Sequence, residues 1–256
     1  MSLNFDKVGR VLARIDGGKL NNKIISVYTE GDDNDLIKKQ FNNLKLTGES
    51  KFQQIPDPDT ERQIIYITGA SGSGKSTYAA KYIKEYKKIF KNNPVYVFSA
   101  LKDDESLDVI KPKRIIIDDS LYTNPLNVED FESSMVIFDD IDVISDKKQR
   151  EAVYNILNQI LETGRHFKIS CIITNHLSTS GKDTKRVLNE CHSVVYFPFS
   201  GSGVGLKRLL VDYLGLDKKD IIKAKKCKSR WVCIFKNYPQ IIMCEKDMWM
   251  PSTDDD

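Results

Sequence analysis

The clearest chemistry lies in Gly69-Ala-Ser-Gly-Ser-Gly-Lys-Ser76, which fits G-x-x-x-x-G-K-[ST] at every position. The glycines let the backbone curl so that successive N–H groups point inward and cradle phosphate oxygens. Gly69, Ala70, Ser71, Gly72, Ser73, Gly74, Lys75, Ser76 and Thr77 make up the predicted nucleotide cradle. Lys75 supplies a mobile charge for the outer phosphates, and the Ser76 hydroxyl offers a ligand to Mg²⁺. The loop follows an apolar run, Gln63-Ile-Ile-Tyr-Ile-Thr68, and opens an amphipathic segment. Strand, loop and helix in that order are the context the motif requires. ATP and Mg²⁺ are the expected cofactors.

A second group follows. Met135-Val-Ile-Phe138 is an apolar run ending in Asp139-Asp140. Acids at the C-terminal edge of a parallel strand sit where ligands bind in open α/β sheets. Asp139 is expected to hold the water shell of Mg²⁺ and Asp140 to polarise the attacking water as general base. Ser170-Cys-Ile-Ile-Thr-Asn175 is another apolar run with a polar tip, which makes Asn175 a candidate sensor of the outer phosphate or the lytic water. Arg165, in Thr163-Gly-Arg-His166, is placed to reach a neighbouring subunit's site and offset charge on the transferring phosphoryl group. Arg186 is a second candidate for that role. His166, His176 and His192 have no metal-ligand spacing, and core or surface roles are expected for them.

These groups need a scaffold, and the central sequence supplies one. Short apolar runs at 64–68, 95–99, 114–117, 135–138, 169–174 and 193–197 alternate with helical patterns. That is the signature of a parallel sheet covered on both faces. One helix starts at Lys75, with Ala79, Tyr82, Ile83, Tyr86 and Phe90 on one face. Another runs from Lys147 to Thr163, with Asp146 as cap and Gly164 as stop. The predicted class is α/β, a three-layer P-loop NTPase fold with a mainly parallel central sheet. A small N-terminal β-containing extension and a C-terminal helix plus β-hairpin flank it. Domain bounds are expected at 1–60, 61–200 and 201–256. Within the first, 8–15 and 23–28 read as strands, 36–44 as a short helix and 46–60 as a linker. In the last, 206–226 reads as helix, 230–235 and 240–244 as strands, and Asp254-Asp-Asp256 as a disordered acidic end.

Composition narrows the class. The chain has 256 residues, 40% hydrophobic and 29% charged, which is globular rather than disordered or fibrous. No apolar run is long enough to span a bilayer, and no signal region opens the chain, so secretion is not expected. Five cysteines without a Cys-x-x-Cys pair argue against a disulfide framework and a zinc site. A net charge of +3 permits a nucleic-acid partner without requiring one. Between 207 and 230, nine lysines and arginines, diluted by Asp212, Asp217 and Asp220, form either a phosphate-backbone contact or a solvated helix face.

The phosphate loop, Ile-Phe-Asp139-Asp140 and Gly164-Arg165-His166 before an apolar strand together resemble the genome-packaging ATPases of poxviruses and other nucleocytoplasmic large DNA viruses. These belong to the FtsK–HerA class of P-loop motors. The resemblance covers about residues 63–200. It implies a DNA-translocating ATPase that drives a double-stranded genome, irrespective of sequence, into a capsid. It further implies a homo-oligomeric ring, pentamer or hexamer, a capsid or portal partner, and work in the cytoplasmic viral factory and in the virion. Arg165 carries over as a trans-acting finger and Arg186 as another nucleotide-site arginine. The alternatives are another P-loop motor or helicase loader in replication, a small-molecule kinase, and a nucleotide-gated scaffold without turnover.

Overall fold

The computed structural model describes residues 1–29, 31–179 and 181–251. The acidic end expected at Asp254–Asp256 lies outside the described residues. The chain forms two compact units, one of Glu61–His192 and one of Met1–Thr60 with Ser193–Asp256. No described helix is long and apolar enough to cross a membrane.

The first sixty residues contribute strands β1 (Ser2–Asn4), β2 (Arg10–Asp16), β3 (Ile24–Tyr28), β4 (Gln40–Phe41), β5 (Asn43–Lys45) and β6 (Lys51–Gln54). An antiparallel sheet of order β4-β1-β3-β2-β6 results. Two local expectations fail here. The helix expected at 36–44 is a 3-10 turn, Asn34–Leu36, followed by two strands. The Asp33 carboxylate accepts the Asp35 N–H and seeds a turn, and sheet partners far along the chain claim the backbone beyond it. The linker expected at 46–60 contains β6, whose Gln54 pairs with Ala13.

The unit Glu61–His192 alternates strand and helix: β7 (Ile64–Thr68), α1 (Lys75–Ile89), β8 (Val95–Ser99), α2 (Glu105–Asp108), β9 (Lys113–Ile116), α3 (Ser120–Thr123), β10 (Met135–Phe138), α4 (Lys147–Thr163), β11 (Ser170–Asn175) and α5 (Gly181–Glu190). Its five strands run parallel in the order β7-β11-β10-β8-β9. Every residue of β7, β10 and β11 is buried, as in a sheet covered on both faces. The Asp146 carboxylate caps α4 by accepting the Gln149 N–H. Val153, Ile156, Leu157, Ile160 and Leu161 form the buried stripe of α4. At its far end Arg62 Nη2 donates to the carbonyls of Ile160 (2.6 Å) and Leu161 (2.9 Å), satisfying acceptors that a helix end leaves open.

The remaining chain holds β12 (Ser193–Tyr196), α6 (Gly203–Arg208), α7 (Lys218–Lys226), β13 (Val232–Phe235), β14 (Ile241–Cys244) and β15 (Asp247–Trp249). β12, β13, β14 and β15 form an antiparallel run that β5 extends, Lys45 facing Asp247. The single helix expected at 206–226 is broken. A π-helical turn, Leu209–Tyr213, follows α6, and Gly215 at φ +61° ends it before Asp217 opens α7.

Candidate active site

β11 is the strand that organises the site. It lies between β7, which leads into the phosphate loop, and β10, which ends in the two acids. Asn175 pairs with Thr68 on one side, and Ile173 with Phe138 on the other. Two strand spacings of about 4.8 Å separate loop strand from acid strand, so the tip of β11 forms the floor between phosphate and acids. The Gly69 N–H donates to the Asn175 carbonyl (3.1 Å), tying the loop to that floor.

Gly74 caps α1 at φ +111°, a value only glycine adopts without strain, and no side chain caps this helix. Among the described residues, none accepts a hydrogen bond from its first N–H groups. Together with the helix dipole they form an anion site. Lys75 is 5% exposed. Its Nζ donates to the Gly69 carbonyl (3.1 Å) and lies 3.3 Å from Asp140 Oδ1. One side chain thus links the loop to the second acid across β11.

Asp139 is 6% exposed. Burial, and then the neighbouring Asp140 charge, push its carboxyl up to about 6. Asp140 adopts the left-handed conformation, φ 48° and ψ 41°, costly for a non-glycine residue. Thr174 holds both acids. Its Oγ1 accepts the Asp140 N–H (2.8 Å), and its own proton reaches Asp139 Oδ1 (3.0 Å) or Asp140 Oδ1 (3.1 Å). Asn175, 2% exposed, donates from Nδ2 to the Tyr66 hydroxyl (3.4 Å), which itself donates to the Leu177 carbonyl (2.9 Å). The Asn175 Oδ1 is buried without a partner, an uncommitted acceptor at the strand tip.

His176 stands between two acids. Its Nε2 lies 3.4 Å from Asp140 Oδ2 and its Nδ1 3.6 Å from Asp142 Oδ1. The other Asp142 oxygen accepts the N–H groups of His176 (2.9 Å) and Leu177 (3.1 Å). Asp140, Asp142 and His176 place ligand atoms within 4.8 Å of one another. Thr174, Asp142, His176 and Tyr66 escaped the sequence reading. The only signal for the first three was their position at or just past a strand end, and Tyr66 is masked inside an apolar run.

The two arginines are not drawn into this group. Arg165 is exposed and precedes β11, at the sheet edge opposite the phosphate loop. The five steps from Ser170 to Asn175 alone span about 17 Å. Arg165 therefore does not serve the site of its own chain. Arg186, on α5, pairs with Glu162 of α4 at 3.0 Å.

The donor set fits Mg²⁺. A serine hydroxyl and a carboxylate are hard oxygen ligands, and a buried carboxyl held up at about 6 is one whose charge a cation would offset. Ser76 and Asp139 are the residues that would hold the ion.

Residues 48–192 match the family Novel STAND NTPase 3. "Uncharacterized protein V3" of Sputnik virophage is 44% identical over 245 residues, 95% of this chain and 96% of that protein. Among solved structures, the cytoplasmic domain of the type VII secretion ATPase EccC of Thermomonospora curvata is similar with a TM-score of 0.50 at 11% identity. That match covers 80% of this chain and 28% of the other. The genome packaging NTPase B204 of Sulfolobus turreted icosahedral virus 2, in complex with ATP-gammaS, is similar with a TM-score of 0.48 at 17% identity, over 73% of this chain and 98% of that one.

Proposed function

Because this chain belongs to the Novel STAND NTPase 3 family, we propose that it is a Mg²⁺-dependent ATPase whose turnover drives double-stranded DNA into a viral capsid. The observation that carries hydrolysis is the seating of Asp140. A strained backbone, a hydroxyl clamp from Thr174 and a lysine 3.3 Å away hold it beside the phosphate loop. A protein that only binds nucleotide needs the loop and Lys75 but has no use for a second acid kept at that cost.

In this reading the N–H groups of residues 69–76 and Lys75 bind the triphosphate tail. Ser76 and Asp139 would hold Mg²⁺, which would supply charge neutralisation on the outer phosphates. Asp140 accepts a proton from the attacking water, and the Asn175 amide orients that water. Thr174 keeps both carboxylates aimed at their tasks. Arg165, remote from its own site, enters the site of the next subunit in a ring of five or six copies. Arg186, paired with Glu162 three residues from Arg165, acts beside it at the neighbouring subunit's site. The packaging role rests on the motif resemblance, and the relative from Sputnik virophage supports the viral setting alone. A capsid or portal protein is the docking partner, and the host cytoplasm, at the viral factory, is the place of action.

The test is steady-state ATP hydrolysis by the assembled protein with and without duplex DNA. The proposal expects turnover that requires Mg²⁺ and rises with duplex DNA of any sequence. Turnover indifferent to DNA would remove the translocase reading. A fast transfer of phosphate to a small acceptor would replace it with a kinase.

A further inference from the structure

Lysines that are far apart in the sequence converge on one cleft of the unit formed by residues 1–60 and 193–256. The cleft has a volume of about 600 Å³, and its lining includes Lys45, Lys219, Lys223, Lys226 and Lys246. The three on α7 are spaced i, i+4, i+7 and so share one helix face. Lys45 comes from β5, and Lys246 from the turn into β15, which is β5's antiparallel partner. Among the described residues, none of the five forms an ion pair. Lys246 Nζ donates to the Gly48 carbonyl at 2.5 Å. Lys223 lies 4.1 Å above the Trp249 ring, whose Nε1 donates to the buried Asp220 (2.7 Å). This fixes one cation on a rigid platform. One acid, Asp247, lines the cleft, and it is 8% exposed.

We propose that this cleft binds the phosphate backbone of double-stranded DNA without reading its bases. Asp247, facing Lys45 and feeling Lys223, offsets only part of the charge of the five cations, and a polyanion relieves the repulsion that remains. Lysines act as point charges that meet phosphodiesters without reading sequence. The inference rests on the DNA reading above and assigns it a surface.

The experiment measures binding of a fluorescent duplex of about 30 base pairs to the full chain across about 50 to 200 mM salt. It compares the wild type with a K45Q/K219Q/K226Q variant, which leaves Lys223 on its tryptophan. Affinity at about 100 mM salt is expected to fall at least tenfold. The slope of log affinity against log salt should shrink by about 3, near 0.9 for each phosphate that no longer meets a lysine. Melting temperature and DNA-free ATP turnover are expected to stay unchanged, and a K45R/K219R/K226R variant should bind as the wild type does. Equal affinity and slope in the glutamine variant would overturn the inference while leaving the translocase reading intact. A wild type that binds no duplex would overturn both. Saturable binding of inorganic phosphate at micromolar levels, abolished in the glutamine variant, would reassign the cleft to small phosphates. Displacement of the duplex by polyglutamate at far lower charge concentration than by unlabelled duplex would reassign it to an acidic protein.

Discussion

Replacing Asp139 by asparagine is expected to stabilise the nucleotide-free protein while removing its metal ligand. The Asp139 carboxyl titrates at about 6, against an ordinary 3.8, because it is buried beside Asp140. An acid whose folded value lies above its unfolded one weakens the fold wherever it is ionised. That cost is absent below about pH 4, grows as pH rises through about 6 and is complete at pH 7.5. The gap corresponds to about 3 kcal/mol, and at 6% exposure solvent screens little of it. Asparagine keeps an oxygen for the Thr174 hydroxyl but leaves an amide partly desolvated, which costs about 1 kcal/mol. A net gain of about 2 kcal/mol remains, or about 4 to 8 °C in melting temperature for a chain of this size. Differential scanning fluorimetry in chelator, without nucleotide, measures it directly. At pH 5 the ionisation cost is about half as large while the amide cost is unchanged, so the net gain is expected to fall to about a third, since folded Asp139 is then mostly protonated while unfolded aspartate is still largely ionised. Adding Mg²⁺ and an ATP analogue should reverse the order, because only the wild type gains binding energy. A variant that melts lower than wild type at pH 7.5, or a gain that ignores pH, would refute the reasoning.

Three further outcomes follow from the same geometry. Thr174→Val leaves the Asp140 N–H and one Asp139 oxygen without their partner. It should cost about 1–3 kcal/mol of stability by denaturant melts and lower ATP turnover with little change in nucleotide affinity. Asp140→Asn should bind ATP as the wild type does in equilibrium titration and lose at least a hundredfold in turnover, on the order expected for a general base. Subunits with Arg165→Ala but intact Lys75 should depress the turnover of wild-type rings more steeply than their mole fraction in mixing experiments. A linear dependence would return Arg165 to an ordinary surface role.

What the sequence made legible was chemistry carried by contiguous residues. The phosphate loop could be placed because its glycines, lysine and serine sit within eight positions between an apolar strand and an amphipathic helix. The acid pair could be placed because Met135–Phe138 is apolar throughout. What stayed hidden depends on strand order. Nothing local says that β11 lies between β7 and β10, yet that placement lets Thr174 touch both acids and sets Asn175 on the floor of the site. His176 looked inert because its acidic neighbours come from a different strand end. Of the basic run at 207–230, only Lys219, Lys223 and Lys226 line the cleft, and Lys45 and Lys246 join them through β5 and the turn into β15. The helix expected at 36–44 failed for the same reason, since the partner of β5 lies about two hundred residues further on.

The most direct test of the account is a structure of the assembled protein with Mg²⁺ and a non-hydrolysable ATP analogue. The account expects the phosphate tail to be wrapped by the N–H groups of residues 69–76, with Lys75 Nζ turned onto the outer phosphates. The metal should be shared by Ser76 and Asp139, and a water should sit between Asp140 and the terminal phosphate. A nucleotide seated elsewhere, or one bound at the loop with Asp139 and Asp140 facing away from the metal, would contradict it.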